Sequence, residues 1–180
     1  MAKLAEYIGW RILKRKRKGV DREVRVHNFG TAKSAAILFD TTVENSFPVI
    51  HEFRKFIDKQ GIRCSAFGYV PEKEIPQEML LRKNYSFITR KDLNWYRRPR
   101  GEVTENFYSC DPDMLIDFTF QSLLELQFLV QLSTARFKIG CYTEQENDYD
   151  LMINITGKEC EIGYFAEQVK HYISMLHPSK

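Results

Sequence analysis

Residues 35–70 read "AAILFDTTVENSFPVIHEFRKFIDKQGIRCSAFGYV", and this stretch decides the fold. It opens with a continuous apolar run, Ala35 to Phe39, closed by Asp40. Such a run suits a strand buried on both faces, as in a parallel sheet. Asp40, Thr41 and Thr42 make a turn, and Ser46 is the expected helix N-cap, with Pro48 tolerated in the first turn. Val49, Ile50, Phe53, Phe56 and Ile57 then recur at helical spacing, and Gly61 stops the helix. The period returns to that of a strand in residues 62–70. A strand–helix–strand unit of this kind is a right-handed crossover.

The same alternation extends outward. In the second half, "DMLIDFTF" (113–120) reads as a strand ending near Asp117, and residues 122–133 as a leucine-rich, deeply buried helix. "RFKIG" (136–140) and "YDLMINI" (149–155) read as strands, and residues 160–176 as an amphipathic helix. Between the halves, "YSFIT" (85–89) is a short strand, a helical turn is expected at 77–82, and "RKDLNWYRRPRG" (90–101) reads as an exposed excursion. Val24 and Val26 alternate with charged residues, as in an edge strand. The expected architecture is a three-layer α/β sandwich with a mainly parallel sheet of five or six strands. Residues 1–19 form a basic N-terminal helix and residues 20–180 a single α/β domain. Leu4, Ala5, Tyr7, Ile8 and Ile12 give that helix an apolar stripe to dock on the domain.

Composition excludes several classes. With 43% hydrophobic and 13% aromatic residues the chain is globular. No run of eighteen apolar residues exists, so no membrane span is expected. At the N-terminus the apolar part precedes the charge, the reverse of a secretory signal, which points to the cytoplasm. The four cysteines and four histidines are scattered and form no close ligand pair. No metal site or cofactor is therefore expected, and the thiols read as reduced. His27 and Asn28 read as hydrogen-bonding the strand lead-in and Lys33 as facing solvent, rather than as a His/Ser or Ser/Lys pair with Ser34.

The net charge of +3 conceals a strong asymmetry, with two basic segments facing an acidic C-terminal half. Arg11 and the consecutive Lys14, Arg15, Lys16, Arg17 and Lys18 form the first segment. Arg90, Lys91, Arg97, Arg98 and Arg100, interleaved with Trp95 and Tyr96, form the second. Like charges without intervening acids repel unless a polyanion relieves them. Aromatic residues among arginines compose the surfaces on which single-stranded RNA stacks. The leading expectation is a non-catalytic cytoplasmic domain that docks on RNA or the ribosome through these segments. An anionic membrane surface, such as the cytoplasmic side of the inner membrane, is the rival polyanion. Pairing between the basic and acidic halves is a further reading.

A second class of function follows from the sheet. Ligands of open parallel sheets bind beyond the C-terminal strand ends. Asp40, Thr41 and Thr42, then Asp117, Thr119, Phe120, Gln121 and Ser122, then Tyr142 and Thr143, collect at that edge. They could hold a phosphosugar or nucleotide in a small enzyme, and Asp40 with Asp117 could form an acid–base pair. No G-x-G-x-x-G or P-loop motif is present, and capping is the plainer role for these residues.

The chain resembles a family of small uncharacterised proteins of Bacteroidota. "VHNFGTAKSAAILFD", "FGYV", "KDLNWYRRP", "DMLIDFTF", "ARFKIGCY", "YDLMINI" and "HYISML" carry the resemblance, across roughly residues 24–176. It implies no activity, cofactor or catalytic residue. Residues 113–140 are also similar to a stretch in the first domain of heptosyltransferase-type glycosyltransferases. Those enzymes bind the sugar nucleotide with a second domain, so this likeness speaks to topology alone.

Overall fold

The computed structural model describes residues 2–80, 84–155, 157 and 161–177. Six strands form one sheet: β1 (Ser34–Asp40), β2 (Arg63–Val70), β3 (Tyr85–Thr89), β4 (Met114–Asp117), β5 (Phe137–Cys141) and β6 (Leu151–Ile153). Their order is β3-β2-β1-β4-β5-β6, and every neighbouring pair is parallel. Among the described residues six α-helices accompany them: α1 (Ala2–Arg17), α2 (Ser46–Lys59), the single turn α3 (Gln77–Leu80), α4 (Glu102–Ser109), α5 (Leu124–Leu132) and α6 (Ile162–Met175). The expected α/β architecture with a parallel sheet is therefore the one observed.

The chain moves one way from β1 to β3, then crosses back to β4 and continues the other way. Right-handed crossovers require the helices to change face when the direction reverses. They do so. α2 and α6 cover one face, with Ile37, Phe39, Phe53, Phe118, Phe165 and Val169 in one core. α4 and α5 cover the other, where Leu38, Phe67, Phe107, Leu115, Leu126 and Leu129 pack together. A third, smaller core of Leu13, Leu124 and Phe128 fastens α1 onto the outside of α5.

α1 fills the expected 1–19 segment as far as Arg17. Its docked face differs from the expected one. Gly9 and Leu13 are buried, whereas Leu4 and Tyr7 are 63% and 58% exposed. Of the expected stripe, Leu4 and Tyr7 point outward while Ile12 packs against the third core, and the closest contact is made through a glycine. A Cβ on Gly9 would stand 2.5 Å from both the Tyr96 carbonyl oxygen and Leu124 Cδ2, so this close approach needs the bare backbone.

Other expectations shift locally. Residues 24–26 form no strand; Val24 and Val26 are exposed, and Arg25 donates one backbone hydrogen bond to Arg136. Ser46 is the first residue of α2 rather than its cap, and Asn45 precedes it in the left-handed region at φ 58°. α4 was not anticipated in the sequence. The turn expected at 77–82 is α3, and residues 81 and 82 lie outside the described residues, as does Cys160.

Candidate ligand cleft at the C-terminal sheet edge

Residues 90–101 are not a loose excursion. A 3₁₀ turn (Arg90–Asp92) is boxed at its start: Asp92 Oδ2 accepts from Thr89 N at 2.7 Å and Thr89 Oγ1 at 2.8 Å, and Lys91 N donates to Thr89 Oγ1. Leu93 and Pro99 then pair as an antiparallel bridge. Asn94 Oδ1 accepts from the backbone of Tyr96 at 3.1 Å and Arg98 at 3.0 Å, which draws the tip into a tight hairpin. Arg97 sits in the left-handed region at φ 67°. Tyr96 packs on Phe128 in the third core, and Trp95 is left 68% exposed.

The hairpin overhangs a cleft of about 470 Å³ beyond the C-terminal ends of β2 and β3. Tyr69, Pro71, Arg90, Trp95, Arg97 and Glu125 line it, and Ala5 of α1 closes one side. Glu125 is 1% exposed. Its Oε1 accepts from Tyr69 OH at 2.7 Å and from Arg97 Nη2 at 2.7 Å. Its Oε2 has no hydrogen-bond partner among the described residues. Burial, reinforced by the Glu125 carboxylate, holds the Tyr69 phenol well above its usual range. Arg97 Nη1 also meets Glu6 Oε2 at 3.3 Å, tying α1 to the hairpin. The charge of Arg97 is thus shared between two carboxylates. Arg90 makes no ion pair among the described residues and remains the free cation of the cleft.

The other edge residues are occupied locally. Asp40 Oδ1 accepts from Thr42 N and Thr42 Oγ1, both at 2.8 Å, and Thr41 Oγ1 donates to Tyr69 O. Asp117 is fully buried; its Oδ1 accepts from Thr119 N at 2.9 Å and its Oδ2 from Tyr149 OH at 2.5 Å. Burial pushes its carboxyl up to about 6, against the pull of those bonds. Thr119, Gln121, Ser122, Tyr142 and Thr143 do converge, but on a recess of only about 40 Å³. That is the volume of one water molecule or so. The acids at the reversal point between β1 and β4 also disfavour the phosphates that such sheets often hold there.

Both basic segments lie on the α5 side of the sheet, and carboxylates reach part of each. Lys14 Nζ meets Glu146 Oε2 at 3.2 Å, and Arg17 pairs with Glu146 and Asp148. Lys91 pairs with Glu74 at 3.3 Å. Arg11, Arg15, Lys16, Lys18 and Arg100 are exposed and form no ion pair among the described residues. Arg98 is half-buried, and its Nε finds no acceptor there.

The sequence pointed to Arg90, Trp95 and Arg97 but not to Tyr69 or Glu125. One signal for Glu125 was present. It is the single charged residue in a helix otherwise made of apolar residues and two glutamines.

Fold and cleft together define a doubly wound parallel α/β domain with a pocket beside, rather than at, its reversal point. The chain belongs to a family of unknown function (DUF6913), whose model matches residues 6–176. No curated protein matches it. Among the described residues, no helix is long and apolar enough to cross a membrane, and no cluster of acidic, histidine or cysteine residues could hold a metal ion.

Proposed function

We propose that the protein binds a small organic anion, of the phosphosugar or nucleotide class, in the cleft beneath the 93–99 hairpin. The observation that carries this reading is the convergence of Arg90, Arg97, Trp95 and Tyr69 around a buried glutamate in about 470 Å³. That volume lies in the range of small-molecule sites, which run from about 300 to 1,000 Å³. Arg90 supplies a guanidinium for an anionic group. Trp95 offers an open ring face for a base or sugar. The cleft binds rather than catalyses, since its one buried carboxylate is already held by Tyr69 and Arg97. The free thiols of Cys64 and Cys110 accord with a cytoplasmic site of action.

Docking on RNA draws less support. Of the residues expected to meet it, Lys14, Arg17, Lys91 and Arg97 are engaged by carboxylates, and Tyr96 packs against Phe128.

The test uses Trp95 itself. The chain has two tryptophans, and Trp10 lies on the third core, so a Trp10→Phe background isolates the cleft signal. Titration with nucleotides and sugar phosphates should quench that fluorescence and raise the melting temperature. Arg90→Ala should weaken binding by about tenfold or more, the scale of a hydrogen bond to a charged group. A panel that neither quenches Trp95 nor shifts melting, or binding indifferent to Arg90, would sink the proposal.

A further inference from the structure

The outward face of α1 is used by neither the fold nor the cleft. Leu4, Tyr7, Arg11 and Arg15 recur at three- and four-residue steps and share one exposed stripe, which Lys18 continues in the turn beyond. The inward face holds the helix in place through Gly9 and Leu13, so the stripe is displayed on a rigid ridge. It is apolar toward the N-terminal end and cationic toward the C-terminal end. The cations are not neutralised by the protein, because Glu146 and Asp148 take Lys14 and Arg17 and leave Arg11, Arg15, Lys16 and Lys18.

The geometry points to this ridge as the surface by which the protein docks, reversibly, on an anionic lipid bilayer. Charge complementarity selects an anionic partner, and two observations select lipid over RNA. Leu4 is 63% exposed, and a leucine has a use in an acyl layer but none against phosphates. The guanidinium of Arg11 lies over the Tyr7 ring, 5.9 Å from its centroid, and takes one of the two faces on which a base could stack. The ridge is also convex, whereas single strands are held in a charged groove. A row of cations beside a leucine and a tyrosine instead matches headgroups beside an interfacial layer.

The experiment is flotation of the full chain with vesicles of phosphatidylcholine containing about one third phosphatidylglycerol, beside pure phosphatidylcholine vesicles. The wild type should float with the anionic vesicles only, and less as salt rises. Each cation near such a surface contributes about fivefold, so Arg11→Gln, Arg15→Gln and Lys18→Gln together should cut partitioning on the order of a hundredfold. Leu4→Ser with Tyr7→Ser should weaken it severalfold at constant charge. All five side chains are exposed, so unchanged melting is the control that the variants fold. The inference is overturned if the wild type stays with the unbound protein. It is equally overturned if the serine variant floats as well as the wild type, or if an RNA oligonucleotide displaces the protein from the vesicles at matched phosphate.

Discussion

Gly9 is where two effects of opposite sign meet. Glycine inside a helix costs about 1 kcal/mol relative to alanine, so Gly9→Ala should stabilise an isolated α1. In the folded chain the new methyl would lie 2.5 Å from the Tyr96 carbonyl oxygen and from Leu124 Cδ2. Neither neighbour yields easily. The carbonyl belongs to the hairpin fastened by Asn94, and Leu124 is 1% exposed in the third core. Normal contact is about 3.5 Å, so α1 must retreat by roughly 1 Å. A gap of that size forfeits about a quarter to a half of the packing energy across an interface. Leu13 is 1% exposed, and full burial of one leucine is worth about 1.5–3 kcal/mol. With Phe128 and Trp10 sharing the interface, the loss comes to about 2–4 kcal/mol and exceeds the helix gain. The net expectation is destabilisation by about 1–3 kcal/mol, a drop in melting temperature of about 3–10 °C for a chain of this length. Gly163 in α6 supplies the control. A methyl there meets only Val49 Cγ2 at 3.8 Å, so Gly163→Ala should be neutral or stabilising. Thermal and urea unfolding of both variants reads the difference. If Gly9→Ala melts at or above the wild type, the docking of α1 through its glycine face is wrong.

Three further perturbations follow. The carboxyl of Asp117 is raised from 3.8 to about 6, so its contribution is full while protonated below about pH 4 and is lost as pH climbs through 6. That amounts to about 3 kcal/mol, and Asp117→Asn should remove this decline from the pH–stability profile. Lys138 is fully buried, its Nζ has no hydrogen-bond partner among the described residues, and burial lowers its ammonium to about 8. Lys138→Met should stabilise the protein by about 1–3 kcal/mol at pH 7, and the advantage should shrink above pH 8 in urea unfolding. Arg97→Ala strands the Glu125 carboxylate. Because the Arg97 side chain is 39% exposed, the expected loss is about 2 kcal/mol, below that of a fully buried pair. Adding Glu125→Gln should recover most of the lost melting temperature.

The central crossover was legible because its residues obey one period at a time. Ala35 to Phe39 is continuous, and Ile50, Phe53 and Ile57 step by three and four; these are the residues the sheet and α2 bury. Where a contact depends on something other than apolar spacing, the pattern misled. Leu4 and Tyr7 belong to the apolar stripe yet stay exposed, because α1 docks by bringing its backbone against the Tyr96 carbonyl, and hydropathy does not register a missing side chain. α4 escaped notice because eight residues bury only Thr104 and Phe107, too few to display a period. The cleft was half visible. Its arginines stand in one basic run, whereas Tyr69 ends a strand and Glu125 begins a distant helix, and only the parallel register and the crossover bring them together.

The basic run acquires a structural reason once α1 is placed. A helix of 16 residues is about 24 Å long, close to the width of six strands spaced about 4.8 Å apart. It runs from the hairpin after β3, where Glu6 meets Arg97, to the β5–β6 connection, where Arg17 meets Glu146 and Asp148. Its N-terminal half therefore walls the cleft, and its C-terminal half is pinned by acids from the opposite half of the chain. Two cations, Lys14 and Arg17, suffice for that pinning. Arg11, Arg15, Lys16 and Lys18 have no carboxylate partner among the described residues and repel one another, and repulsion of that kind is relieved when the outward side meets negative charge. Ligand binding and surface docking would then use opposite sides of one helix. Substitutions on the outward stripe should leave cleft affinity intact, while Gly9→Ala, which displaces the whole helix, should disturb both.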